Sequence, residues 1–281
     1  MKYTFLPAEA DNAVNHVGSY RRRLPVSIER MYENTLDWAH LPHLHERSFA
    51  EIRCLDAGAW GWRAQVGNVG ASNPSNSLIE LKLDRQARRW ITRNLEGPNK
   101  GAEIWTHVFV EGENVLDIVV DFYVPDVPPE AKEKVGLAYA KAYEQLYDED
   151  VAMMVERQQQ IDRRVEGFDR SETLALGPAH ELILPVLVTL SRRDFVVKQI
   201  DDEWLAYSAQ CPHQMGPLID SPVVQGEVRC PWHGYTFNVR TGECTSGAVC
   251  KLTESPDVTV DDGGALILRW ADAESVCGAL T

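Results

Sequence analysis

Long apolar runs are missing from this 281-residue chain. No segment approaches the roughly 18 consecutive apolar residues that span a bilayer, so no membrane partner is expected. The opening residues, MKYTFLPAEAD, soon turn acidic and lack the apolar stretch of an export signal, so a cytoplasmic location is expected. Basic residues are scarce: 28 Lys and Arg against 42 Asp and Glu leave a net charge of −14. That charge would repel phosphates and argues against a nucleic-acid partner. Internal repeats and low-complexity segments are absent, and 44% hydrophobic with 25% charged residues is ordinary for a globular chain, which excludes disorder and collagen. Cysteine is sparse: Cys54, Cys211, Cys230, Cys244, Cys250 and Cys277. A chain of this length buries core enough to fold without disulfides. Without an export signal, clustered Cys and His point to metal or redox chemistry.

What is present divides at about residue 168. Residues 1–27 read as mixed, with a basic triplet at Arg21–Arg23. Val26–Glu46 has a helical pattern ending in histidines. Segments 50–57, 59–68, 77–84, 87–95, 102–112 and 115–124 alternate apolar and polar residues. Turn signals at Gly58, Gly70 to Asn76, Gly97-Pro98 and Glu113-Asn114 separate them, which predicts an antiparallel meander. After Pro129 no proline, and after Gly136 no glycine, interrupts the run to residue 164. That absence predicts one long helix, or two with a break near Asp148. A curved meander followed by a long helix suggests a sheet gripping that helix around a pocket. Residues 165–178 read as a linker, and short strands follow at 182–189, 194–199, 204–208, 257–260 and 265–270 around a loop-rich stretch, 211–250. The expected fold is α+β: a helix-grip domain over 1–168, then an all-β domain over 169–281.

The sharpest motif is Cys211-Pro-His213 followed by Cys230-Pro-Trp-His233. Two short clusters, each with one thiolate and one imidazole, suit a [2Fe–2S] centre in which cysteines hold one iron and histidines the other. Pro212, Gly216, Pro231 and Gly234 favour tight loops that aim backbone N–H groups at sulfur. A zinc site of two Cys and two His is the competing reading. The segments CPHQMGPLID and VRCPWHGYTFNVRTGEC closely resemble the Rieske family over roughly 180–270. The resemblance implies one Rieske [2Fe–2S] cluster on Cys211, His213, Cys230 and His233. Gly216 and Trp232 stand where respiratory-type members carry an extra disulfide, which implies the oxygenase or ferredoxin type. Cys244 and Cys250 lie off the motif and read as loop or core thiols.

A second motif runs Asp37-Trp-Ala-His40-Leu-Pro-His43-Leu-His45. Asp37 and His40 are three apart and share a helix face. His45 needs a distortion at Pro42 to meet His40. Two histidines and one carboxylate make a facial triad for Fe(II) with open positions. The spacing Asp-x-x-His-x4-His resembles the catalytic domain of Rieske non-haem iron oxygenases. The resemblance implies one mononuclear Fe(II) on His40 and His45, with Asp37 as the bridge to a Rieske histidine and His43 as a rival ligand. It also implies a third, carboxylate ligand at the start of the last long helix, in DEDVAMMVERQQ. Asp150 leads, with Asp148 and Glu149 as alternatives. Trp60, Trp62, Trp105, His107 and Phe109 are candidate pocket residues, with ordinary core the equal alternative; His107 reads as a structural strand histidine.

One departure from the family is the order, since its Rieske domain usually comes first. By resemblance the chain is a terminal oxygenase acting with O2 on a small aromatic or other apolar substrate. No flavin or nicotinamide domain fits in its length, so a separate reductase or ferredoxin is the expected electron donor, and a homotrimer the expected assembly. The alternative is a Rieske electron carrier fused to a ligand-binding helix-grip domain without oxygenase activity. Residues 171–281 hold 15 acids and 7 bases, a net of −8, which suggests a donor with a basic face.

Overall fold

A computed structural model describes residues 13–70, 77–163 and 169–271. Contacts divide the chain into two compact units, residues 1–158 and 159–281. Part of the expected turn at 70–76, the start of the expected linker and Cys277 lie outside the described residues.

The first unit is one antiparallel sheet with a long helix against it. Its strands are β1 (His16–Leu24), β2 (Phe49–Gly58), β3 (Gly61–Asn68), β4 (Ser77–Asp84), β5 (Arg89–Glu96), β6 (Glu103–Gly112) and β7 (Val115–Tyr123). Their order in the sheet is β1-β7-β6-β5-β4-β3-β2. The meander from β2 to β7 is the one that apolar–polar alternation predicts. β1 is the correction: residues 16–24 are not irregular but pair with β7, Ser19 opposite Asp121 and Arg22 opposite Ile118. Only Val17 and Leu24 of that strand are fully buried, and Arg22 takes an inward position between the exposed Arg21 and Arg23, so the arginine triplet hides the periodicity.

The long helix, Lys132–Arg163, is continuous, with no break near Asp148. A single turn at Pro129–Ala131 leads into it, using a proline where no N–H is needed. Tyr143, Tyr147 and Met154 recur at helical spacing and face the sheet, where Tyr143 meets Phe122 at 5.2 Å between ring centroids. Burying each such side chain contributes about 1.5–3 kcal/mol, which carries the helix through a stretch of charged residues. Where helix and β1 cross, glycine meets glycine. A Cβ on Gly136 would lie 2.3 Å from the Val17 carbonyl oxygen.

The segment expected as one helix over Val26–Glu46 is broken. The helix Ile28–Leu36, capped by the Ser27 side chain, stops at Asp37. A tight turn, Trp38–His40, and a short helix, Leu41–Leu44, follow. This sheet-and-helix unit has the expected helix-grip (START-like) architecture.

The second unit is all-β. Its strands are β8 (Thr173–Pro178), β9 (Val186–Leu190), β10 (Arg193–Ile200), β11 (Glu203–Ser208), β12 (Val223–Val224), β13 (Glu227–Arg229), β14 (Thr236–Asn238), β15 (Asp257–Val260) and β16 (Ala265–Arg269). They form three three-stranded sheets: β11-β10-β9, β12-β13-β14 and β15-β16-β8. Phe195, Val197, Leu266, Leu268 and Trp270 form its core. β8 falls inside the segment expected as linker, because its pairing with β16 is long-range and leaves only a short apolar signature. No helix among the described residues is long and apolar enough to cross a membrane.

Candidate functional site

The broken helix brings two histidines to one point. His40 ends the tight turn, and the His45 N–H bonds back to the Leu41 carbonyl at 3.1 Å. Both imidazoles are buried, 3% and 2% exposed. Opposite them the long helix presents Asp150. Its Oδ1 lies 3.1 Å from His45 Nε2 and 3.4 Å from His40 Nε2. The three donor atoms fall within 4.8 Å of one another. Ligands about 2.1 Å from a first-row metal and at right angles stand about 3 Å apart, so this donor set fits a facial triad.

The other ring nitrogens face further carboxylates. His45 Nδ1 is 2.6 Å from Glu149 Oε2, and His40 Nδ1 is 3.8 Å from Asp37 Oδ2. Glu149, at hydrogen-bonding distance, fixes the His45 ring and directs its Nε2 outward, while Asp37 faces His40 Nδ1 from beyond that distance. The Asn34 side-chain amide donates to Asp150 Oδ1 at 2.9 Å. Burial opposes charge on His40, but contacts with Asp150 and Asp37 outweigh it and raise its pKa to about 9. Burial likewise opposes, and hydrogen bonds from both histidines overcome, so that Asp150 is held far below the usual carboxylate range.

Of the three acids weighed for this place, Asp150 meets both imidazoles. Asp148 instead pairs with Arg22 at 2.6 Å, and Glu149 supports His45. Asp150 sits mid-helix, not at the helix start that the resemblance implied, so no helix terminus accounts for it. His43 is half-buried and outside the triad.

A cavity of about 140 Å³ opens on the triad. Trp62, Leu81, Trp90, Thr106, Tyr143 and Tyr147 are among its walls. Trp62 is held by donating to the Thr35 carbonyl at 3.0 Å. The expected wall of Trp105, His107 and Phe109 is a correction. Thr106, between them, faces the cavity, so strand alternation turns its neighbours to the other side of the sheet. There His107 Nε2 lies 3.9 Å from Asp121, and Trp105 stacks on His107 and carries Arg89 over its ring. Trp60 belongs to the β2–β3 turn. Glu149 as a histidine support, Asn34 and the two tyrosines escaped the sequence reading. The tyrosines' four-residue spacing was the available signal.

In the second unit, two loops repeat one backbone pattern. Cys211 N–H bonds to the Gly216 carbonyl at 2.8 Å, and Met215 N–H to the Cys211 carbonyl at 2.9 Å. Cys230 N–H bonds to the Tyr235 carbonyl at 2.8 Å, and Gly234 N–H to the Cys230 carbonyl at 2.9 Å. Met215 and Gly234, at equivalent places, both adopt the left-handed conformation. The loops face each other. The His213 and His233 rings are perpendicular, 4.5 Å apart between centroids, and Tyr235 packs on His213 at 4.8 Å. The thiols of Cys211 and Cys230 are both buried and electrostatically coupled. That coupling, with the N–H groups of Trp232 and His233, gives Cys230 the thiolate character and pushes Cys211 up. A Cβ on Gly216 would lie 2.8 Å from the Cys230 sulfur and 2.9 Å from the Trp232 ring, so glycine keeps this cradle open.

Residues 176–255, which contain all four of these side chains, match the Rieske [2Fe-2S] domain family. This segment is a Rieske domain. Its donor set, two thiols and two imidazoles on facing loops, fits the [2Fe–2S] cluster of such domains. Apoptosis-inducing factor 3 of Mus musculus and of Homo sapiens are each 46% identical over 41 residues, 15% of this chain. The match spans only 7% of the length of those curated relatives. Among solved structures, the ferredoxin of carbazole 1,9a-dioxygenase from Nocardioides aromaticivorans is 24% identical, with a TM-score of 0.32, covering 35% of this chain and 98% of that one. Norcoclaurine synthase from Thalictrum flavum, in complex with dopamine and hydroxybenzaldehyde, is 17% identical, with a TM-score of 0.40, covering 56% of this chain and 97% of that one.

Proposed function

We propose that this chain is a terminal oxygenase component, in which the Rieske domain feeds electrons to a mononuclear Fe(II) on His40, His45 and Asp150. The observation that carries the reading is the double support of the triad. Both Nε2 atoms converge on one Asp150 oxygen while separate carboxylates stand behind both Nδ1 atoms. When bound, the cluster supplies electrons one at a time and the Fe(II) supplies O2-activating chemistry. The chain's own residues do the rest. Glu149 and Asp37 keep the imidazoles oriented. Asn34 holds the Asp150 carboxylate by the oxygen shared with the histidines. Trp62, Leu81 and Trp90 exclude water and favour a small apolar or aromatic substrate. Asp37 is the proposed hydrogen-bonded link from His40 to a Rieske histidine. A homotrimer, with a separate reductase or ferredoxin as donor, completes the reading.

The second reading is an electron carrier fused to a ligand-binding domain. It is favoured by one fact: His45 is already hydrogen-bonded at both ring nitrogens, so that side chain is satisfied without a cation. Iron and sulfide content of anaerobically prepared, iron-loaded protein separates the two. The oxygenase holds three irons and two sulfides per chain, and His40→Ala removes one iron while the cluster spectrum stays. Two irons and two sulfides in the unaltered protein would leave the carrier.

A further inference from the structure

Cys244 and Cys250 lie outside both metal sites but face each other. An antiparallel bridge joins Glu243 to Lys251, and the Leu252 N–H bonds to the Gly242 carbonyl at 2.9 Å. One step along that ladder puts Cys244 directly opposite Cys250. The side chains agree with this register: Lys251 Nζ meets Glu243 Oε1 at 2.7 Å on one face, which leaves both cysteines on the other. Directly opposed residues of an antiparallel pair have Cα atoms about 4.5–5.5 Å apart, inside the range a disulfide bridges.

The hairpin tip between them is open. Gly247 turns it with a φ of +91°, and an added Cβ there would meet nothing within 4 Å. Val249 is fully exposed, and both cysteines are partly exposed. The tip is also tied to the second cluster loop. Thr245 N–H bonds to the Thr236 carbonyl at 2.8 Å, and Thr236 N–H donates to Ser246 Oγ at 3.2 Å. Thr236 directly follows Tyr235, whose carbonyl holds Cys230.

We propose that Cys244 and Cys250 form a reversible disulfide that responds to low-molecular-weight disulfides beside the Rieske cluster. The Cys244 sulfur attacks the S–S bond of the oxidant and expels one thiol, leaving a mixed disulfide. Cys250 then attacks the Cys244 sulfur and expels the second thiol. The cysteine pair loses two electrons, the oxidant gains them, and the two cysteine protons end on the two released thiols. The roles follow from the surroundings. Burial would raise the Cys244 thiol, but the Ser246 hydroxyl and the N–H groups of Ser246 and Ala248 outweigh it and lower it. Burial and contact with Cys244 raise Cys250, which suits it as the resolving thiol.

The test uses the full chain with its cluster loaded, equilibrated anaerobically with mixtures of reduced and oxidised glutathione, then alkylated and mapped by mass spectrometry. As the oxidised fraction rises, the expected result is a peptide joining Cys244 to Cys250, reversed by reduced glutathione. In Cys250→Ser, Cys244 is expected to retain one glutathione instead, with the cluster absorption unchanged. Independent alkylation of both cysteines across the whole range in the unaltered protein would overturn the proposal. So would a mixed disulfide at Cys244 that persists there with Cys250 present.

Discussion

Single residues decide whether each metal site can form. Gly216 is the clearest case, because a methyl group there would press on both the Cys230 sulfur and the Trp232 ring. Neither can withdraw, since Cys230 and Trp232 are both buried. Gly216→Ala is therefore expected to reduce cluster occupancy several-fold, read as loss of visible absorption per chain. Full occupancy would mean the loop relaxes at little cost.

His40 makes a prediction of a different kind. Its pKa in the metal-free site is raised to about 9, against an ordinary value of 6.5. A raised histidine stabilises the fold below its unfolded pKa, and that contribution is lost as pH climbs through the folded value. Asp150, held low, acts in the other direction and loses its contribution only in acid. The metal-free site thus contributes a few kcal/mol at about pH 6, falling off toward pH 9. A divalent metal must displace the His40 proton, and the His45 proton where that histidine, also raised, still carries one, so its affinity should rise by about tenfold or more per pH unit until about pH 9. Titration of cluster-loaded protein with Fe(II) at several pH values checks this. An affinity flat over that interval would show that His40 does not bind the metal.

At the scale of elements, the long helix carries two opposed demands at Gly136. Helix propensity alone says that alanine there would stabilise the helix by about 0.5–1 kcal/mol. The crossing with β1 says the reverse, since the new Cβ would sit 2.3 Å from a backbone oxygen that cannot rotate away. Overpacking of this kind costs about 1–3 kcal/mol, so the crossing wins. Gly136→Ala is expected to lower the denaturant midpoint without changing the slope; a raised midpoint would contradict the packing.

The same elements show what the sequence makes legible. The meander is readable because one face of each strand is buried and alternation follows directly. β1 is not, because three consecutive arginines cover its middle. His40 and His45 are readable as a pair from their spacing and Pro42, but the path that joins them is a break at Asp37 that no local propensity dictates. Asp150 was distinguishable from Asp148. It falls three residues after Tyr147 and four before Met154, on the apolar stripe facing the sheet, while Asp148 points to Arg22. Glu149 as the support of His45 depends on the approach of two distant segments and leaves no trace in either alone.

At the scale of the whole molecule, the proposed separate reductase or ferredoxin makes a prediction about charge. The C-terminal part of the sequence carries a net of −8 over residues 171–281. A donor that docks through basic residues would be drawn by that field before any contact forms. Such steering acts over about a Debye length, near 10 Å at 0.1 M salt and about 3 Å at 1 M. Raising salt between these limits should lower the second-order rate of cluster reduction by about tenfold or more, while the rate within a preformed complex stays constant. Stopped-flow reduction by the donor, followed at the cluster absorption, separates the two because only the first depends on donor concentration. A salt-independent second-order rate would remove charge from the recognition. Docking would then rest on apolar contact.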